Sequence, residues 1–183
     1  YAPNRAVLQF NRMDLRLPWL RSNFPNAKFV HLFRHPRDQW ISTLMDSKYK
    51  FSSSSTLYDF LHYDKFYLRH WVEDLQYWFP FLRNWNLHPY CHFYYLWRLS
   101  YVYGVHYCNV SIQFEEMLSY PSKVLENLFQ DLNIQNIDWK KIKSVIQTPK
   151  TEKWISYAPK EWFQEQEAFC EYEIANFFGW SNF

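Results

Sequence analysis

Glycine is nearly absent from this chain. Only Gly104 and Gly179 occur in 183 residues. A loop that wraps phosphate groups with backbone N–H donors needs glycine, because the backbone must turn sharply and come close to the ligand. Neither glycine lies in such a loop. Cysteine is scarce too. Cys91, Cys108 and Cys170 are three, an odd number too small for a disulfide framework, and are expected to be reduced and partly buried. A surplus of one charge is missing: the formal net charge is +2, which provides no broad field for nucleic acid or an acidic membrane, so neither is expected as a partner. No apolar run is long enough to span a bilayer, so no transmembrane segment is expected. Repeats and low-complexity tails are also lacking.

Aromatic residues are abundant. They make up 23% of the chain, more than a core alone requires, which points to an aromatic-lined cleft. The length suits a single domain, residues 1–183, with a substantial core.

Residues 27–42 organise the rest. The run 28–33 is apolar and rich in strand formers, bounded upstream by Phe24-Pro25-Asn26. Arg34 follows at the strand end. Pro36 fits the first position of a helix over 36–45, where a missing N–H costs nothing. A helix N-terminus offers free N–H groups and partial positive charge, and arginine adds a planar fork of donors suited to phosphate. Ser42 lies one helical turn beyond Asp38, close enough to turn its hydroxyl towards the same anion. The plainer reading is an arginine tying down a strand end and a serine bonded to its own helix.

The pattern Arg34, Pro36, Asp38 and Ser42, with Phe24-Pro25-Asn26-Ala27-Lys28 ahead of it, resembles the 3′-phosphate-binding segment of the sulfotransferase family. The resemblance implies an α/β fold, with a P-loop-like three-layer parallel sheet flanked by helices. It implies transfer of a sulfuryl group from 3′-phosphoadenosine 5′-phosphosulfate to a hydroxyl or amine on a small-molecule or carbohydrate acceptor, with no metal. Arg34 and Ser42 would hold the 3′-phosphate. The family's glycine-containing loop for the 5′-phosphosulfate has no counterpart here. With Tyr1 in place of an initiating methionine, the expectation is an N-terminally truncated domain, inactive alone, with strand edges and apolar faces exposed and poor stability.

Around this segment, residues 6–10 (Ala-Val-Leu-Gln-Phe) read as a strand and 15–22 as a helix capped by Asp14, with Leu17 and Leu20 inward. Strand, helix, strand, helix implies a right-handed parallel unit, with ligands at the carboxyl ends of its strands. Arg12 and Arg34 would both stand there. Arg12 falls where many cytosolic family members have a catalytic histidine. A permanently protonated arginine cannot be a general base, but it can stabilise charge on the sulfuryl oxygens or the leaving phosphate. The alternative is an ion pair with Asp14 or another carboxylate. The base is left open between Asp14, His35 and an upstream group.

Downstream, 52–55 read as a serine-rich loop and 57–79 as helix interrupted near 62–64. Residues 90–103 read as helix closed by Gly104. This helical, aromatic-rich stretch, 51–104, would form the acceptor side, although most of its aromatics are expected in the core. His88 and His92 are spaced for a metal on a helix face, but Pro89 intervenes and no zinc motif accompanies them, so a structural role is the better reading. Residues 109–114 read as a strand and 121–132 as a helix with Val124, Leu125, Leu128 and Phe129 on its apolar side. The family ends this strand in Tyr-Glu-Asp, the tyrosine meeting the adenine. Phe114 stands in its place, keeping the ring and losing the hydroxyl. Asp138 is expected to cap 139–146. Lys150 and Lys153 occupy the position of a basic family loop over the 3′-phosphate, but its glycines are missing, and a solvated charged loop is the other reading. The last helix, 159–178, would turn Trp162, Phe169 and Ile174 inward and stop at Gly179.

Two rivals remain. One is a nucleotide-dependent kinase of the same α/β architecture. The other is a non-catalytic binding or scaffold module that keeps the fold without the chemistry. The missing loop and Arg12 favour the second of these.

Overall fold

The computed structural model describes residues 6–43, 49–65, 67–146 and 152–180. It is an α/β arrangement, mostly helical, around a small parallel sheet. A 3-10 turn at Asp14–Arg16 leads into α1 (Leu17–Asn23), followed by β1 (Val30–Phe33) and α2 (Pro36–Thr43). Then come α3 (Leu57–Phe60), α4 (Leu68–Leu75) and the long α5 (Pro89–Tyr107). Strand β2 (Val110–Gln113) runs into α6 (Phe114–Ser119), α7 (Pro121–Asp131), α8 (Trp139–Val145) and α9 (Lys160–Phe178).

Strands β1 and β2 pair in parallel, with Val30 opposite Val110 and Phe33 opposite Gln113. The ladder therefore delivers the residues that follow each strand, from 34 and from 114, to the same end of the sheet. One face of β1 is covered: His31 is buried and Phe33 lies edge-on to Tyr101 of α5. On the other face Val30 and Leu32 are 41% and 54% exposed.

The core gathers on α5, whose Tyr90, Cys91, Tyr94, Tyr95 and Leu99 are buried beneath α9 and α2. Trp40 of α2 and Phe163 of α9 are fully enclosed there, and Tyr90 packs edge-on against both. Pro89 sits in the first turn of α5, and the His88 imidazole accepts the Tyr90 N–H through Nδ1 at 3.0 Å, so the cap is a histidine. His88 and His92 are both buried, and burial lowers their pKa to about 3 and about 4, leaving them neutral.

Several elements fall as expected. Leu17 and Leu20 are buried in α1, and α7 turns Val124, Leu125, Leu128 and Phe129 half inward. Asp138 caps α8 by accepting the Lys141 N–H, and Gly179 ends α9 with φ of 66°. Others do not. Residues 6–10 form no strand: no described strand lies beside them to complete a ladder, and Val7, Leu8 and Phe10 face solvent. Asp14 opens the 3-10 turn and does not cap α1. Gly104 does not end α5, which runs three residues further, to Tyr107. Its missing side chain serves packing instead. A Cβ at Gly104 would lie 2.3 Å from the His31 ring, so glycine is what lets α5 settle onto β1. Phe169 is 42% exposed, and the inward residues of α9 are Phe163, Cys170 and Ile174. All three cysteines are free thiols.

Candidate functional site

Arg34 leaves β1 and Pro36 begins α2, so the arginine stands where a strand gives way to a helix N-terminus. Its Nη1 donates to Ser42 Oγ at 2.6 Å, and that hydroxyl donates in turn to the Asp38 carbonyl at 2.9 Å. The two side chains therefore meet, and the serine is also bonded to its own helix, as the plainer reading expects. The Arg34 Nε is buried and makes no hydrogen bond to a described residue. Its nearest carboxylate is Glu115 Oε1, an ion-pair partner at 3.5 Å. Trp97 of α5 fixes the arginine's backbone by donating Nε1–H to its carbonyl at 3.0 Å. The Phe114 ring lies under the guanidinium, 5.5 Å from Cζ.

The next donor belongs to the helix terminus. The His35 N–H points to the Glu115 carboxylate, 3.1 and 3.2 Å from its two oxygens. The parallel register explains this meeting, because 34 and 35 continue β1 as 114 and 115 continue β2.

A second cluster holds α2 from behind. Arg37 grips Glu167 of α9 with both edges of its fork, Nε to Oε1 at 2.8 Å and Nη2 to Oε2 at 2.6 Å. The Tyr90 hydroxyl donates to the same carboxylate at 2.6 Å. The hydrogen bonds that Arg37 donates to Glu167 raise the arginine's pKa, while burial, followed by the charge of Glu167, holds the Tyr90 phenol well above its ordinary range. Arg37 also lies over the Trp154 ring, 4.8 Å from Cζ to centroid. Trp154 is near-parallel to the His35 ring, and the Glu152 N–H donates to Asp38 Oδ2 at 3.2 Å. The segment from 152 is thus laid against the first turn of α2. Lys153 begins a short 3-10 turn there and is exposed. Lys150 lies outside the described residues.

Beside this junction opens a cavity of about 540 Å³ between β1, α2, α4 and α5. Gln39 and Thr43, which flank Ser42 on α2, line one wall; Trp97 and Tyr101 line another. Arg12 and Asp14 stand at its margin. Arg12 does not follow a strand, as the pattern suggested. It has φ of 63° and rests its guanidinium over Tyr67 and Trp71, at 5.5 and 5.9 Å from the ring centroids. Among the described residues no group of histidine, cysteine and acidic side chains could hold a metal, and no helix is long and apolar enough to cross a membrane.

Sequence reasoning did not single out Glu115, Arg37, Trp97, Trp154 or Glu167. Glu115 was readable in principle, because two parallel strands that end together bring their next residues together. Glu167 meets Arg37 across 130 positions and has no local signal.

The strand–arginine–helix junction, with a hydroxyl converging on it, defines an α/β protein with a site suited to an anion. The profile of the sulfotransferase family matches residues 13–139, most of the chain, and the chain belongs to that family, a class of transferases that move sulfuryl groups. No curated protein and no solved structure matches it.

Proposed function

We propose that this protein is a sulfotransferase using 3′-phosphoadenosine 5′-phosphosulfate, with Arg34 and Ser42 as the anchors of its 3′-phosphate. One observation carries this reading: the two side chains meet at 2.6 Å beside the N-terminus of α2, with the Arg34 Nε buried and without a hydrogen-bond acceptor among the described residues. A charged donor with an ion-pair neighbour at 3.5 Å but no hydrogen bond fits a phosphate oxygen. Phe114, already under the guanidinium, offers its ring to the adenine side. Lys153 approaches from the segment packed on α2 and adds positive charge near the same phosphate.

The co-substrate, when bound, supplies an activated sulfuryl group; no metal is required. The acceptor, a small molecule or carbohydrate bearing a hydroxyl or amine, enters the cavity whose far wall is the helical stretch 51–104. Aromatic faces such as Trp97 and Tyr101 suit sugar and phenol rings alike. Arg12, at the margin, faces the negative charge that develops during transfer. In-line displacement depends on such positioned donors more than on covalent chemistry by the protein. The proposed frame is the P-loop-like three-layer sheet of the family. The exposed Val30 and Leu32 support it, since parallel sheets are ordinarily covered on both faces.

Titration with adenosine 3′,5′-bisphosphate tests the reading. Arg34→Ala is expected to weaken binding by about 10- to 150-fold, the worth of a charged hydrogen bond, and Ser42→Ala by less. Adenosine 5′-phosphate, which has no 3′-phosphate, should bind with an affinity insensitive to Arg34→Ala. A folded protein that binds no bisphosphate at millimolar concentration would overturn the assignment.

A further inference from the structure

The head of α2, where a phosphate would sit, already has a carboxylate beside it. The Glu115 carboxylate takes the His35 N–H with both oxygens, at 3.1 and 3.2 Å, and stands 3.5 Å from the Arg34 Nε. Its side chain is 19% exposed, and that of Arg34 22%, so water screens the pair only in part. A helix N-terminus and a guanidinium recognise a carboxylate by the same chemistry with which they recognise a phosphate. The other arginine nearby cannot serve instead, because Arg37 is committed to Glu167 through two bonds.

We propose that Glu115 is an internal competitor of the nucleotide's 3′-phosphate, holding the His35 N–H and pairing with the charge of Arg34 in the free protein, and so setting how tightly the phosphate is kept. The inference rests on the placement of that phosphate at Arg34. An arriving phosphate takes the His35 N–H and the guanidinium edge, and the carboxylate swings away from both. When the nucleotide leaves, Glu115 returns, so the His35 N–H keeps an acceptor and the guanidinium a counter-charge. The consequence is kinetic as well as energetic. A site that refills itself releases the spent bisphosphate more readily than one built of cations alone.

Glu115→Gln tests this directly. It keeps an acceptor for the His35 N–H and removes the charge. One like charge close to a phosphate in a partly wet site is worth about tenfold in affinity. Glu115→Gln is therefore expected to bind adenosine 3′,5′-bisphosphate about tenfold more tightly, mainly through slower dissociation in stopped-flow measurements, and to bind adenosine 5′-phosphate as the unaltered protein does. Glu115→Asp, whose shorter side chain draws the carboxylate back from its donors, should also tighten the bisphosphate, and carries the test if the glutamine variant fails to fold. Unchanged or weaker binding in the folded variant would show that Glu115 merely props Arg34, and would sink the proposal. Equal tightening of both nucleotides would sink it as well, because the effect would not belong to the 3′-phosphate. If Arg34→Ala weakens the bisphosphate while Glu115→Gln leaves it unmoved, the phosphate site stands and the competitor does not. If neither variant nor the unaltered protein binds, both fall together.

Discussion

Replacing Glu167 by glutamine removes one charge from the interior and should be among the most damaging conservative changes available. The carboxylate accepts two bonds from Arg37, at 2.8 and 2.6 Å, and one from the Tyr90 hydroxyl, at 2.6 Å. The side chain of Arg37 is only 9% exposed and that of Glu167 18%. Glutamine fills the same volume but can oppose the fork with one oxygen only, and its amide brings a donor up to a guanidinium that has donors alone. The cation is left buried without a counter-charge. Breaking a buried pair from one side costs about 3–5 kcal/mol. For a chain of this size each kcal/mol lowers the melting temperature by about 2–4 °C, so a drop of roughly 6–20 °C is expected. Urea unfolding followed by tryptophan fluorescence measures the free energy. The double variant Arg37→Met with Glu167→Met removes both charges and keeps apolar contacts with Trp154 and Phe163, over which Arg37 now lies at 4.8 and 5.3 Å. It should regain much of the loss, short of about 1–3 kcal/mol for the Tyr90 hydroxyl that loses its acceptor. A single substitution that costs under about 1 kcal/mol would refute the reasoning. So would a double variant as unstable as the sum of the two singles.

Two further outcomes concern the helix that carries this network. Gly104→Ala should gain about 1 kcal/mol of helix propensity yet destabilise the protein overall by about 1–2 kcal/mol, because the new methyl would meet the His31 ring at 2.3 Å; a raised urea midpoint would contradict the close seam between α5 and β1. Stability should also fall in mild acid. His88 and His92 have pKa values lowered to about 3 and about 4 by burial, against 6.5 when unfolded. Below pH 6.5 the unfolded chain takes up protons that the folded one refuses, so each histidine removes about 1.4 kcal/mol per pH unit as the pH drops toward the folded value. Unfolding free energies that stay flat between pH 6.5 and 4.5 would show that these imidazoles are not buried as described.

Much of the candidate site was legible because its parts are close in sequence. Strand, arginine, proline and serine lie within one short stretch, and local rules of strand propensity, helix starts and phosphate chemistry act on that scale. The helices announced themselves by periodicity, α7 and its apolar side most plainly. What escaped depends on distance. Residues 6–10 have strand composition, but a strand is made by its neighbour, and no described strand lies beside them. Gly104 has the look of a helix stop, and only the fold reveals that its bareness admits His31 from a strand more than seventy positions earlier. Phe169 and Phe163 are equally apolar on paper; which one turns inward follows from how α9 crosses α5. Arg37 and Glu167 find each other across 130 positions, where no local pattern can point.

The alignment of β1 with β2 has a bearing on how the protein can fail. Val30 faces Val110, and by continuation His35 comes beside Glu115, across 80 positions of chain. A slip of a single rung would turn every side chain of the shifted strand to the opposite face. Arg34 and Ser42 travel together on one segment and would survive such an error as a pair. Glu115 and Phe114 travel on the other and would arrive out of step. With the phosphate site as proposed, a misregistered molecule would keep Arg34 and Ser42 together while losing Glu115 beside them, and would hold the nucleotide longer than a properly threaded one.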